Sequence, residues 1–491
     1  MTAKTIPAEI STEKLSLWRK LGYGLGDIYG GGSGVVISFY YLIFLTDVVR
    51  LNPALAGTVI LISKVYDAIT DPFEGLIADR TRTRLGRRRP YLLAGIPLVF
   101  LSFLALFYPI DLEQEMQRFI FVIFSYLFFS TVVSIVMLNY NALQSEMTLD
   151  YDERTSLSSI RIFFSTFASI LAALLPLEIV NMFPDMRQGY VAMGLGFGAL
   201  FALPFIFTVW AARERPEFQR PPQKFDWRQA FIEPFKMRTF VYALMMYLLA
   251  FVAIDTVSSI VVYYMKYYLG RGGEASYVNG TLLVAQVLAL PFYAWLSKRT
   301  NKRRGYIVGA LIWMAAMLLS FLIVPGGPDL AVYAFATVVG VGTGGIVVMM
   351  YAIFPDIPDV DELKTGERRE GIYAALVTFI RKLSSALAIF AVSNAIAIAG
   401  YVQPVETVSG GVTRLVEQPQ SPGFILVLRL VFAIVPVVLL AGALFFAARY
   451  PLTSQVHQRL NTVLADRRQY GDGGERHKRE AEELERLLIG E

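Results

Sequence analysis

Apolar runs of about 20 residues or slightly more, the length that a bilayer's hydrocarbon core demands, recur about twelve times along this chain. In the first half they cover 23–46, 53–78, 90–110, 119–144, 156–182 and 188–212. In the second half they cover 239–269, 277–296, 306–324, 330–354, 372–401 and 423–448. With 55% hydrophobic residues among 491 and a mean hydropathy of +0.50, there is more apolar surface than a water-soluble core can hide. The pattern predicts a polytopic helical membrane protein.

The polar punctuation sets the organisation. The segment 213–238, rich in Pro, Gln and charge, parts 21–212 from 239–449, each with six runs. A polar segment 1–20 precedes them without the apolar stretch of a signal peptide, and a charged segment 450–491 follows. Lys and Arg crowd alternate loops: Arg80, Arg82, Arg84, Arg87, Arg88 and Arg89 after the second run, and Lys298, Arg299, Lys302, Arg303 and Arg304 after the eighth. By the positive-inside rule these loops, the central linker and both termini face the cytoplasm. The two clusters hold the same place in each half, which points to two parallel six-helix repeats. The expected fold is an all-α membrane protein with twelve transmembrane helices in two pseudo-symmetric six-helix bundles, a monomer in the cell membrane. The net charge of +5 is explained by topology, which removes the case for nucleic acid. Segment 450–491 reads as a solvated cytoplasmic tail, although Leu484, Leu487 and Leu488 give it an amphipathic pattern.

Charge inside an apolar run demands a reason, because an ionised side chain at bilayer depth costs on the order of 3 kcal/mol or more. The second run carries Lys64, Asp67 and Asp71. At about 100° per residue these three share one helix face, with the carboxylates about a turn apart. Two carboxylates about 5 Å apart repel by roughly 3 kcal/mol at an effective dielectric near 20. One must therefore hold a proton, or a cation must sit between them. A purely structural ion pair needs one acid, and this face offers two. Asp67 and Asp71 are thus candidate cation ligands, Na⁺ or H⁺, with Thr70 adding a hydroxyl and Lys64 as movable counter-charge.

Other polar residues in the runs are candidates for a cavity. Asp27 and Asp255 lie in the first and seventh runs, Asn139, Tyr140 and Asn141 in the fourth with Ser134 before them, Arg161 in the fifth, and Arg381 with Lys382 in the eleventh. Lys382 lies too deep for easy snorkelling, which favours it over Arg381. Asp79, Arg80, Arg87 and Arg88 at the end of the second run read as a conformational latch. The glycines of the first and tenth runs follow no strand, so they imply close helix packing or hinges and not a phosphate loop. Cysteine is absent, and the two histidines, His457 and His477, lie in the polar tail, which excludes zinc sites, cysteine nucleophiles and histidine bases within the membrane.

Several motifs occur together: Leu21-Gly-Tyr-Gly-Leu-Gly-Asp27, Asp67-Ala-Ile-Thr-Asp71-Pro72, Gly86-Arg-Arg-Arg-Pro90, Asp152-Glu-Arg-Thr155 and Thr365-Gly-Glu-Arg-Arg-Glu-Gly371. In this combination the chain resembles the glycoside-pentoside-hexuronide:cation symporter family, melibiose permease-like members of the major facilitator superfamily. The resemblance implies the major facilitator fold and sugar uptake coupled to Na⁺, H⁺ or Li⁺. It implies that Asp67 and Asp71 are the cation-binding acids, that Thr70 and Ser134 are neighbouring ligands, that Arg161 is the fifth-helix arginine of the sugar site, and that Lys382 is the lysine joining the two. Where melibiose permease has sugar-binding acids and cavity tryptophans, this chain has Gly31, Met137, Asn141 and Val347. The animal lysophospholipid symporters resemble the same family and keep the paired acids and the lysine.

The expected function is cation-coupled symport of a sugar or glycoside by alternating access, without a resident cofactor and without enzymatic chemistry. Cargo falls to Asp27, Asn139, Tyr140, Asn141, Arg161, Asp255 and Lys382. The alternatives are a lysolipid or other amphiphile cargo and, from another class, a sensor that binds ligand without moving it.

Overall fold

The computed structural model describes residues 14–148, 151–212, 232–366, 369–409, 412–470 and 475–490. The first part of the N-terminal segment and most of the 213–238 linker lie outside the described residues. Among the described residues, 11 helices are long and apolar enough to cross a membrane. The chain divides into two compact units, Met1–Gln223 with Tyr401–Gln420, and Lys224–Gly400 with Ser421–Glu491.

Unit 1 begins with α1 (Leu17–Gly24) and α2 (Asp27–Val36), and continues through π turns at Ile37–Tyr41 and Phe44–Val48. The first apolar run is therefore helical but segmented, as suits a stretch with glycine at 26, 30, 31, 32 and 34. Long helices follow: α3 (Pro53–Arg80), α4 (Arg89–Leu106), α5 (Glu115–Met147), α6 (Tyr151–Asn181), α7 (Met186–Ala202) and α8 (Pro204–Ala211). Local chemistry fixes where they start. Asn52 accepts a hydrogen bond from the Ala54 amide at 2.9 Å with Pro53 at the first helical position, and Asp185 accepts from Arg187 at 2.9 Å. Helix α2 packs on α6 so closely that a Cβ on Gly31 would meet the Ser165 carbonyl at 2.3 Å.

Unit 2 repeats the plan with α9 (Arg238–Tyr263), α10 (Ala275–Arg299), α11 (Lys302–Leu319), α12 (Asp329–Ile353), short α13 (Ile357–Thr365), α14 (Glu370–Ile398) and α15 (Pro422–Arg449). The repeat extends to backbone detail. Helix α9 ends in a π turn at Tyr264–Tyr268 followed by Gly270 at φ +70°, as the first run ends in the π turn Phe44–Val48 followed by Arg50 at φ +57°. The glycines of α12 serve packing: a Cβ on Gly340 would meet the Leu282 carbonyl at 2.2 Å, and one on Gly342 the Trp313 amide at 2.7 Å.

Two features depart from the sequence reading. A β-hairpin, β1 (Val405–Ser409) and β2 (Val412–Val416), stands between α14 and α15, pairing Val405 with Val416 and Ser409 with Val412. Its runs are rich in β-branched residues on either side of Gly410-Gly411, a hairpin signal. The hairpin belongs to unit 1, where the Tyr401 hydroxyl donates to the Asp47 carboxylate. The tail, expected to be solvated, is instead folded onto unit 2 as α16 (Ser454–Tyr470) and α17 (Glu475–Leu488). Leu484, Leu488 and Ile489 are buried whereas Leu487 is partly exposed. The Leu488 carbonyl accepts from the Thr239 hydroxyl at 2.6 Å, and the Ile489 carbonyl from the Arg238 amide at 3.1 Å, so the tail caps the start of α9. Arg459 holds the hairpin of helices closed by pairing with Glu480 and Glu483, and His457 meets Asp359 of α13 at 3.0 Å.

Replacing Leu488 with Asp in the full chain will release α17 from this seat. Hydrogen–deuterium exchange of the Arg238–Phe240 amides will then rise sharply, while exchange in α2 and α6 stays unchanged.

Candidate functional site

Helices α3 and α5 pack side by side and create the first charged site. Asp67 on α3 is only 1% exposed. One of its oxygens, Oδ2, accepts from Lys64 Nζ at 2.9 Å, and the other, Oδ1, from the Ser130 hydroxyl at 2.5 Å. Lys64 also lies 5.9 Å from the Tyr126 ring centroid, at the edge of cation–π range. Asp71, half-buried, follows one turn on. The Thr70 hydroxyl donates to the Tyr66 carbonyl at 3.1 Å, which spends its hydrogen and leaves its lone pairs for a cation. Ser134 is buried on α5, one turn beyond Ser130. Ser130, whose hydroxyl reaches Asp67, is a residue missing from the sequence reading; its four-residue spacing from Ser134 on the same helix face was the available signal. This set offers a hard cation two carboxylates and several hydroxyl oxygens, with Lys64 already holding one carboxylate.

A second cluster gathers at Arg161 of α6. Its Nε and Nη2 donate to the two oxygens of Asp27 at 3.3 Å each, Nη2 also to Asn141 Oδ1 at 2.6 Å, and Nη1 to Gln144 Oε1. The guanidinium lies 4.7 Å from the Tyr140 ring centroid and 5.9 Å from that of Tyr23. Those two rings stack at 4.8 Å, and each hydroxyl donates to the other residue's carbonyl, at 2.7 and 3.0 Å. The ring platform and the carboxylate together fix the guanidinium plane, a polar, aromatic-faced surface of the kind that sugars contact by hydroxyl and by C–H face. Asp27, Tyr140, Asn141 and Arg161 are thus brought together. Tyr23 and Gln144 join them, the latter one turn after Asn141 and readable by that spacing.

Asn139 belongs elsewhere: its Nδ2 donates to the Ile135 carbonyl at 2.8 Å and its Oδ1 accepts from Arg88 at 3.4 Å. Arg87 and Arg88 are both buried, Arg80 is exposed, and the Asp79 side chain lies outside what the structure describes.

Unit 2 contains a third charged group. Asp255 on α9, 4% exposed, accepts from both Nη atoms of Arg381 on α14, at 2.5 and 2.8 Å. The guanidinium sits 4.9 Å from the Phe251 ring centroid. The sequence reading preferred Lys382, which is half-buried beside it; adjacency cannot tell which of two neighbouring cations faces α9. The pair mirrors Asp27–Arg161 in helix and in chemistry, an acid on the first helix of the repeat held by an arginine on the fifth and backed by an aromatic ring. The acids differ in depth, with Asp255 about two turns nearer its π turn than Asp27 is to the corresponding turn.

Since Asp255 is buried, removing its partner alone leaves an uncompensated charge, a loss of roughly 3 kcal/mol or more. Arg381→Met will therefore lower the midpoint of thermal unfolding in detergent strongly. Adding Asp255→Asn to it will recover much of the loss, giving a double mutant well short of additive.

Comparisons with known proteins bear on the family and the fold. Residues 22–454 match the model of the family described as MFS/sugar transport protein. An uncharacterised symporter of Synechocystis sp. is 28% identical, with 94% of this chain and 98% of the relative covered. An isoprimeverose transporter of Lactiplantibacillus pentosus is 26% identical over 81% of this chain and 84% of its own. Among solved structures, the xylose transporter XylE from E. coli in an inward open conformation superposes with a TM-score of 0.60 at 14% identity, covering 90% of this chain and 98% of its own, a likeness of fold. The chain belongs to the MFS/sugar transport protein family of the major facilitator fold.

Proposed function

We propose that this chain is a cation-coupled symporter that imports a sugar or glycoside, with Na⁺ or H⁺ bound at Asp67 and Asp71. The observation that carries the reading is the buried Asp67 carboxylate, held at once by Lys64 and Ser130 and followed one turn later by a second acid. Without the coupling cation, Lys64 neutralises Asp67. When the cation enters between the carboxylates it displaces the ammonium, and Ser130, Thr70 and Ser134 supply further oxygens. A proton does the same by neutralising one carboxylate directly. Either way the charge of the site changes with occupancy, which lets the cation favour one conformation over another. Coupling then takes the form of a higher cargo affinity in the cation-bound state.

The cargo reading rests on Asp27, Tyr140, Asn141 and Arg161. The Asp27–Arg161 pair is electrically neutral overall and presents donors and acceptors fixed in orientation, which fits hydroxyl-rich neutral cargo. The basic loops support cytoplasmic termini, and an inward-directed cation gradient drives uptake. A sugar cargo accords with the family description and with the name of the isoprimeverose relative.

In right-side-out vesicles, Asp67→Asn and Asp71→Asn will abolish cation-driven accumulation; undiminished accumulation in either variant contradicts the reading. Ser130→Ala will weaken the apparent affinity for the coupling cation about tenfold, the worth of one hydrogen bond to a charged group. Cargo identity follows from a thermal-shift screen of sugars and glycosides with and without Na⁺ and across pH. A hit whose stabilisation vanishes in Asn141→Ala places that cargo at the Arg161 cluster.

A further inference from the structure

In unit 2, helix α9 packs against both α14 and α15, whereas α14 and α15 touch each other sparingly. The gap between them is a cavity of about 380 Å³, within the range of ligand pockets. Its floor is one face of α9, where Leu248, Val252 and Thr256 follow each other at single-turn spacing, and Val431, Val435 and Leu439 repeat that spacing on the α15 wall. The α14 wall runs from Ser384 past Ala388 to Ala395.

Two hydroxyls are the only polar side-chain groups in this lining, and neither is available as a donor. Thr256 donates to the Val252 carbonyl at 2.8 Å and Ser384 to the Ile380 carbonyl at 2.6 Å. A sugar would find no donor here. The three lining helices are all among those long and apolar enough to cross a membrane, so the medium around the groove is hydrocarbon. Leu387 and Val435 on its walls remain 50% and 38% exposed, so the groove is accessible from outside the chain. Along the helices it extends about 12 to 16 Å at 1.5 Å per residue. That is close to half of the roughly 30 Å hydrocarbon core, the depth occupied by one acyl chain of one leaflet.

We propose that this groove is a binding site for a single acyl chain of a bilayer phospholipid. The chain fills the space between α14 and α15 and keeps α14 seated on α9. Asp255 and Arg381 lie on those two helices, next to or one turn from the lining residues Thr256 and Ser384, so the bound chain also supports their pairing. The test of this site does not depend on transport.

The experiment uses the full chain in nanodiscs of a phospholipid carrying a diazirine midway along one acyl chain, followed by photolysis and peptide mapping. The expected result is labelling concentrated on the groove faces of α9, α14 and α15. Ala388→Phe, which fills the groove, will reduce that labelling about tenfold, the equivalent of about two methylenes losing their burial. Leu430→Phe, an exposed residue of α15 outside the lining, will not change it. If Ala388→Phe fails to fold, the wild-type map alone decides. Labelling spread evenly over the exposed helix faces overturns the proposal, as does equal labelling of a folded Ala388→Phe. Labelling of the groove by a diazirine fatty acid but not by the phospholipid overturns the assignment to bilayer lipid.

Discussion

The contact between Lys64 and Asp67 is the interaction on which the transport account depends. At 2.9 Å the two charges attract by about 6 kcal/mol at an effective dielectric of 20. Withdrawing the ions from water costs several kcal/mol each. These opposing terms nearly cancel, so the ammonium is held firmly enough to neutralise the site and loosely enough to be exchanged. Lys64 keeps a side-chain exposure of 19%, against 2% for Asp67, the freedom that its proposed exchange with a cation requires.

The same logic of neutral pairing extends to the other charges within the spans. Asp27 with Arg161 and Asp255 with Arg381 each bring an acid and an arginine from equivalent helices of the two repeats. Each guanidinium rests against an aromatic ring, which limits its loss of hydration and fixes its plane. A neutral pair of this kind can present directed hydrogen-bond groups to cargo without leaving a bare charge in hydrocarbon. The Arg161 pair differs from its counterpart by its amide partners Asn141 and Gln144, which widen its polar surface. The two repeats thus share a structural device but differ in the chemistry they offer.

Much of this was legible in the sequence because the bilayer allows few solutions. Span length, the basic loops and the repeat follow from hydrocarbon thickness and charge, and the clustering of Lys64 with Asp67 follows from helix geometry. What sequence could not fix was which of two near-equivalent residues faces a neighbour. Ser130 lies one turn before Ser134 on α5, and the relative height of α3 and α5 brings it to Asp67. Arg381 and Lys382 are adjacent, and the rotation of α14 selects the former for Asp255. Asn139 and Asn141 are separated by two residues, hence by more than half a turn, and they part to Arg88 and to Arg161. The tail went unread for another reason: Leu484 and Leu488 announce an apolar stripe, but the surface that buries it, at the start of α9, is remote in sequence.

Competition between Lys64 and the coupling cation is the central claim. It is tested most directly by equilibrium titration of purified Lys64→Met with Na⁺ at several pH values, with proton release followed in parallel. Removing the resident positive charge predicts binding of Na⁺, or of H⁺ if that is the coupling ion, tighter than wild type by about tenfold or more. Affinity for both ions equal to or weaker than wild type would contradict the account.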